Sequence, residues 1–237
     1  MIRRSRHFPS AAATAAATLM FASLCGAAFA TTPAGAPAAK AAPSAAAAPA
    51  SPSGLAPAPR PGFPAPDFTL PDAAGAKHSL SQYKGKWVVL EWVNYDCPFV
   101  KKHYGSGNMQ KTQKAARDKG AIWLSINSSA PGKQGNFAGQ ELAKRIADLK
   151  AGPDAYLLDP EGKVGMEYKA KTTPTMFVIN PDGMVIYAGA IDDKPSADQA
   201  DIPGAKNYVQ AALDAGMAGK PVEVASTQSY GCGVKYK

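Results

Sequence analysis

Cys97 is the side chain best placed to do chemistry in this sequence. It lies in Glu91-Trp92-Val93-Asn94-Tyr95-Asp96-Cys97-Pro98-Phe99-Val100, where an apolar run from Trp87 to Val93 meets a segment opened by proline. A strand that turns into a helix at a cysteine surrounds the sulfur with first-turn N–H groups, and the helix dipole favours thiolate over thiol. The thiolate is the nucleophile of disulfide exchange and of peroxide reduction. Inert core cysteines are common, but the strand–Cys–Pro–helix context outweighs that reading here. Lys101, Lys102 and His103 follow, and any that approached the sulfur would favour its charge further. The plain reading of the two lysines is a solvated basic helix face. His103 reads equally as a surface residue or as a group near the thiol.

Two more residues bear on that chemistry. Glu91 interrupts the apolar run six residues before Cys97, and strand alternation turns it to the side of Val89 and Val93. A buried, unpaired carboxylate is costly and its pKa rises, which suits proton exchange with a thiol. The other reading is a structural carboxylate satisfied by a neighbouring lysine or backbone group. Cys232 stands between Gly231 and Gly233 near the end of the chain. Flanking glycines let such a thiol move, as a resolving cysteine must to attack an oxidised or mixed-disulfide Cys97. Equally, a permanent Cys97–Cys232 staple would close a long loop and stabilise by about 4–5 kcal/mol in the chain-entropy description. Asp192-Asp193-Lys194 with Asp198 reads as a solvated acidic loop, and Asn127-Ser128-Ser129 carries no assignment. Cys97 and His103 would be two metal ligands at most, too few for a specific site; neither a metal nor a cofactor is expected.

The rest of the chain says where these residues work. Residues 1–30 have the three parts of a secretory signal: Arg3, Arg4 and Arg6, an apolar stretch from Ala11 to Phe29, and Ala28-Phe29-Ala30 as a cleavage site. Cleavage after Ala30 is expected, removing Cys25 and leaving Cys97 and Cys232 in an oxidising compartment, periplasmic or secreted. The apolar stretch is short and Ala-rich, against a permanent membrane span. Residues 31–60 hold 13 Ala and 7 Pro of 30, a composition that cannot bury enough surface to fold and reads as a disordered linker. Removing the signal lowers Lys plus Arg from 26 to 23 against 18 acids, a net charge of about +5. With no arginine-rich stripe, nucleic acid is not an expected partner.

Regular patterning starts at Asp67. Short strands are expected at Asp67–Leu70 and Tyr156–Leu158, and buried ones at Trp87–Val93 and Ala121–Ile126. Helical turns are expected at Ser79–Tyr83 and Val164–Tyr168. A helix from Cys97 breaks at Gly105-Ser106-Gly107 and resumes, capped by Asn108, to about Asp118; further helices span 136–149 and 205–217. Thr175–Asn180 and Met184–Ala188 form a hairpin across Asn180-Pro181-Asp182-Gly183. The sum is a mixed sheet with helices on both faces, one domain over residues 61–218, and a tail from 219 to 237 that carries Cys232.

This order of elements resembles the thioredoxin fold, and more narrowly the alkyl hydroperoxide reductase/thiol-specific antioxidant branch of the redoxins, in its peroxiredoxin-like single-cysteine subgroup. Asp96-Cys97-Pro98-Phe99-Val100 stands where thioredoxins carry Trp-Cys-Gly-Pro-Cys, with Val100 in place of the second cysteine. Glu91 matches the buried carboxylate of thioredoxins that serves proton transfer. Thr172-Thr173-Pro174-Thr175 looks like the family's cis-proline loop, which packs against the reactive sulfur. Gly231-Cys232-Gly233-Val234-Lys235-Tyr236 is similar to the subgroup's C-terminal ending. True peroxiredoxins place Thr or Ser three residues before their cysteine and Pro seven before; Asn94 and Leu90 stand there instead.

The resemblance implies an α/β thioredoxin-like fold and a site of Cys97, Cys232, Glu91, Thr173 and Pro174. Thr173 would offer backbone groups to an incoming disulfide partner as an added strand does. The expected function is thiol–disulfide exchange on a protein disulfide or thiol, with an external thiol reductant. The alternatives are a thiol peroxidase acting on peroxide, and a non-catalytic binding module with a structural Cys97–Cys232 disulfide.

Overall fold

The computed structural model describes residues 58–237; the expected signal and nearly all of the linker lie outside that range. Two short strands, β1 (Thr69–Pro71) and β2 (Lys77–Ser79), pair antiparallel beside the main sheet. They are followed by β3 (Val88–Trp92), α1 (Pro98–Gly105), α2 (Asn108–Asp118) and β4 (Ile122–Asn127). Next come α3 (Gly139–Asp148), β5 (Ala155–Leu158), α4 (Lys163–Glu167) and the two-residue β6 (Thr172–Thr173). The chain ends with β7 (Thr175–Ile179), β8 (Val185–Gly189), α5 (Tyr208–Met217) and a final short strand, β9 (Cys232–Gly233).

The central sheet has five strands in the order β5-β4-β3-β7-β8. β3, β4 and β5 run parallel, while β7 is antiparallel to both β3 and β8. β3 is buried along its whole length because both of its faces are covered. Val88, Leu90 and Trp92 join Phe68, Leu80, Val164 and Phe177 on one side. Val89 and Val93 join Val100, Met109, Leu142 and Leu213, from the four longer helices, on the other. Two covered faces explain why that stretch reads as a continuous apolar run rather than an alternation. Each fully buried aliphatic side chain contributes on the order of 1.5–3 kcal/mol.

Local chemistry sets the boundaries. The β7–β8 hairpin closes where the Asn180 side-chain oxygen accepts from the backbone N–H of Asp182 and Met184, and Gly183 takes a positive φ of 82°. Asn207 caps α5 by accepting from the Gln210 N–H at 3.0 Å. Asn108 is the first residue of α2 and not its cap; Gly107 holds the cap position and the Asn108 amide turns to His103. No helix among the described residues is long and apolar enough to cross a membrane.

The tail departs most from expectation. Its glycines suggested a mobile thiol, yet it lies along the domain. Ser226 pairs with Ala188, and β9 pairs antiparallel with β6 so that Cys232 stands opposite Thr173. The Ala130 N–H donates to the Lys235 carbonyl at 2.8 Å, and the Tyr236 hydroxyl to the Ala170 carbonyl at 2.6 Å. Backbone partners supplied by the folded domain hold this segment, and its own composition gives no sign of them. Gly231 is required there: a Cβ would lie 2.0 Å from the Thr173 carbonyl oxygen, and its φ is +132°.

Candidate functional site

Cys97 is the N-cap residue of α1, in extended conformation (φ −67°, ψ 127°), with Pro98 in the first helical turn. Proline suits that place because its missing N–H has no intrahelical acceptor there. The Cys97 side chain is fully buried. Its sulfur donates to the Thr173 carbonyl at 3.2 Å, so the helix start and the Thr173–Pro174 turn, whose peptide bond is cis, meet at this atom. β9 brings the second sulfur: Cys232 is paired with Thr173 across the β6–β9 ladder, and both cysteines are free thiols. Four of the five residues singled out from the sequence therefore share one place.

The two sulfurs are pushed in opposite directions. Burial alone would raise the Cys97 thiol, but hydrogen bonds from the Cys232 thiol and the Val100 and Cys232 amides, helped by the Thr173 side chain, bring it below the ordinary cysteine value. Cys232 is pushed up to about 11 by burial, by its hydrogen bond to Cys97 and by the charge on Cys97. Of the two thiols, Cys97 is the one that gives up its proton first. The Thr173 hydroxyl has no hydrogen-bond partner while the Cys97 proton points at the Thr173 carbonyl, so it is available to the thiolate once that proton leaves.

Glu91 lies apart from the sulfur, on the covered side of β3 beneath α1 and α2. Its carboxylate accepts from Ser125 Oγ at 2.8 Å, Trp123 Nε1 at 2.9 Å, Tyr104 Oη at 3.0 Å and Gln113 Nε2 at 3.3 Å. Burial raises its pKa against the opposing pull of these donors, and it makes no hydrogen bond to Cys97. Tyr104 belongs to the helix that Cys97 begins, so Glu91 ties α1 to β3, β4 and α2. Sequence reasoning missed this cage, although Ser125 gave a signal: it is the polar residue within the second apolar strand, and it pairs with Glu91 in the parallel register.

The basic face and the acidic loop need correcting. Lys101 is exposed, but Lys102 and His103 are buried, and Asp192 is buried with them. Lys102 Nζ donates to the Lys194 carbonyl at 2.7 Å and stands 3.7 Å from Asp192 Oδ2. The Asn108 amide reaches His103 Nδ1 at 2.9 Å, His103 Nε2 meets the Tyr230 hydroxyl at 3.2 Å, and that hydroxyl donates to Asp192. Burial lowers the His103 pKa to about 4, so the ring is neutral at pH 7, and both of its nitrogens are engaged away from Cys97. These charges are dry because the tail, through Tyr230, covers them. Asp193 and Asp198 stay exposed as expected. Asn127 bonds the Val93 and Gly135 carbonyls, and Ser128 links Trp92 to Asp159, so both support the core. Among the described residues no three His, Cys, Asp or Glu side chains are grouped to hold a metal ion.

Comparison with known proteins fits this geometry. The model of the AhpC/TSA family matches residues 61–188. The thioredoxin-like protein YneN of Bacillus subtilis is 27% identical over 140 residues, covering 58% of this chain and 77% of its own. An uncharacterized conserved protein from Geobacillus kaustophilus superposes with a TM-score of 0.63 at 27% identity, over 75% of this chain and 92% of that one. A hypothetical protein from Sinorhizobium meliloti shares the fold with a TM-score of 0.60 at 24% identity, over 75% and 94% of the two chains. With its cis-proline turn against a helix-capping cysteine, its five-stranded mixed sheet and a family match over more than half its length, this chain belongs to the AhpC/TSA family of thioredoxin-fold redoxins.

Proposed function

We propose that the protein is an exported thiol–disulfide oxidoreductase in which Cys97 is the nucleophile and Cys232 the resolving thiol. The observation that carries this reading is that the helix-capping Cys97, its sulfur 3.2 Å from the Thr173 carbonyl, and Cys232, paired opposite Thr173 on β9, meet on the Thr173–Pro174 edge; burial and their mutual hydrogen bond push the two thiols in opposite directions. The Cys97 thiolate attacks one sulfur of a partner disulfide, forming a mixed disulfide and releasing the partner's other sulfur as thiolate, which takes a proton from solvent. Forming that bond removes the negative charge from Cys97, and with it two of the causes that hold the Cys232 proton. Cys232 then loses its proton and attacks Cys97. A Cys97–Cys232 disulfide forms, the mixed disulfide breaks, and the second partner thiol leaves with the proton. The partner gains two electrons and the protein loses two, and an external thiol reductant returns it to the dithiol state.

Thr173 and Pro174 present the backbone edge beside the sulfur, and Glu91 fixes the helix that carries it. Export rests on the residue 1–30 pattern, with cleavage after Ala30 and residues 31–60 as a tether to the domain at 61–218. A structural disulfide is not needed to hold the tail, whose backbone pairing and tyrosine anchors already do so. The family match favours a second reading, peroxide reduction. In it, the Cys97 thiolate takes the distal peroxide oxygen to give sulfenic acid and an alcohol or water, and Cys232 condenses with it, losing water. Asn94 and Leu90, where peroxidases of the family place Thr or Ser and Pro, weigh against it.

Thiol trapping with mass spectrometry separates these. The reduced protein, exposed to a small disulfide-bonded protein, should acquire a Cys97–Cys232 bond, and the Cys232→Ser chain should accumulate the mixed disulfide at Cys97. Oxidation by peroxide alone selects the second reading. No change at Cys97 with either oxidant sinks both.

A further inference from the structure

Lys102, His103 and Asp192 have side chains 0%, 0% and 1% exposed, and none of them acts on Cys97. Burying charge is costly unless a purpose or a partner offsets it. What this cluster surrounds is Tyr230, two residues before Cys232. Its ring lies edge-on to Phe99 at 5.9 Å and under Lys102 Nζ at 5.7 Å from the centroid. Its hydroxyl is held by His103 Nε2 at 3.2 Å and by Asp192 Oδ1. With the Asn108 amide donating to His103 Nδ1, the ring carries its proton on Nε2, and the chain runs unbroken from Asn108 to His103 to Tyr230 to Asp192 Oδ1, leaving Asp192 Oδ2 without a hydrogen bond, 3.7 Å from Lys102 Nζ.

We infer that this cluster is a specificity pocket for a tyrosine two residues ahead of the partner's reacting cysteine, and that tail residues Ser229–Gly233 are its internal occupant. The inference rests on the exchange reading given above. Cys97 is wholly buried while the tail is docked, and the β6 edge beside it is already paired with β9. An external disulfide must therefore displace the tail, and it then meets the vacated edge and pocket. A partner cysteine that takes the place of Cys232, preceded by a glycine at the same positive φ of 132°, sets the side chain two positions ahead where Tyr230 lies. The residue between them must be glycine in this register, because a Cβ would meet the Thr173 carbonyl at 2.0 Å. Phenylalanine would fill the pocket but leave the His103 N–H and the Asp192 carboxylate without the hydroxyl they share. The partner class is an extended polypeptide segment with a Tyr-Gly-Cys sequence whose cysteine is oxidised. Tail and partner occupy the place in turn, the tail returning to resolve the mixed disulfide.

The test uses the full chain carrying Cys232→Ser, so that mixed disulfides at Cys97 persist. Peptides Ser-Tyr-Gly-Cys-Gly-Val, with Phe or Ala replacing Tyr, are supplied as 5-thio-2-nitrobenzoate mixed disulfides, and release of the coloured thiol is timed. The tyrosine peptide should react at least 10-fold faster than the alanine peptide, with phenylalanine between. Adding Tyr230→Ala should speed every peptide while preserving the order, because the internal competitor is weakened. Equal rates for the three peptides overturn the pocket, and the peptide series on the Cys232→Ser chain decides this even if Tyr230→Ala folds poorly. The symmetrical aromatic disulfide reagent alone, which has no tyrosine, is the control. If it reacts with Cys97 and the peptides do not discriminate, the pocket is wrong and the exchange reading stands. If it leaves Cys97 unmodified even in the Tyr230→Ala chain, the exchange reading fails and the pocket fails with it.

Discussion

Replacing Cys232 with alanine tests whether the tail thiol holds the charge on Cys97. Burial works against that charge, and the Cys232 S–H is foremost among the donors that overcome it. The substitution deletes one hydrogen bond to a charged group, about 1.5–3 kcal/mol, from the thiolate state alone. At fixed pH the ratio of thiolate to thiol should drop roughly 10- to 100-fold. The backbone pairing of residue 232 with Thr173 does not depend on the side chain, so the tail keeps its place; because Cys232 is only half-buried, water that reaches the gap would place the drop at the lower end of this range. The assay is the rate at which iodoacetamide alkylates Cys97, followed on the Cys97 peptide by mass spectrometry across pH, with thiolate absorbance in the ultraviolet as a second probe. The rate curve should move to higher pH, and Cys232→Ser, which keeps a hydroxyl donor, should lie between. Gly231→Ala should shift it in the same direction by another route. Its Cβ cannot sit 2.0 Å from the Thr173 oxygen, so the tail must move outward and carry the Cys232 donor away, although that opening also admits water. A Cys232→Ala curve that overlies the wild type would refute the division of roles between the two sulfurs.

Cys97→Ser should abolish exchange while leaving the fold intact, and the Cys232 thiol, now pushed up to about 11, should titrate lower without the neighbouring charge. Alkylation of Cys232 against pH in that variant reads this directly, and an unchanged curve contradicts it. Glu91→Leu strands four donors, Tyr104, Gln113, Trp123 and Ser125, and should cost about 3–5 kcal/mol in urea unfolding after partial re-pairing. A loss below about 1 kcal/mol would show the cage to be dispensable. The Glu91 carboxyl holds its proton more tightly folded than unfolded. The folded state therefore binds more protons, and wild-type stability should decline as pH rises from the ordinary value of 4.5 toward the raised folded value. Glu91→Gln should remove that part of the slope in thermal unfolding across pH, and parallel curves for the two proteins would overturn the assignment.

The parts of this protein legible in the sequence are those decided by short-range chemistry. The apolar run at Trp87–Val93 announced a strand covered on both faces, Pro98 announced a helix start, and Asn180-Pro181-Asp182-Gly183 announced a hairpin. Each depends on the periodicity or dihedral preferences of a few adjacent residues. That Glu91 is polar on a buried face was readable too, and Ser125 in the neighbouring strand left a trace, but Tyr104, Gln113 and Trp123 did not, since α1, α2 and β4 meet at Glu91 only in the fold.

Tertiary structure decided where the tail goes and which charges lose water. Cys97 meets Thr173 across 76 residues of sequence, and His103 meets Tyr230 across 127. No local pattern encodes such distances, because a backbone hydrogen bond or a phenol's partner exists only once the domain has built the surface that supplies it. As a sequence, the helix segment Lys101–His103 reads as two solvated lysines followed by a histidine either at the surface or near the thiol. It divides into wet and dry halves only when residues 225–236 lie down across it, and the free energy of that burial belongs to both segments together.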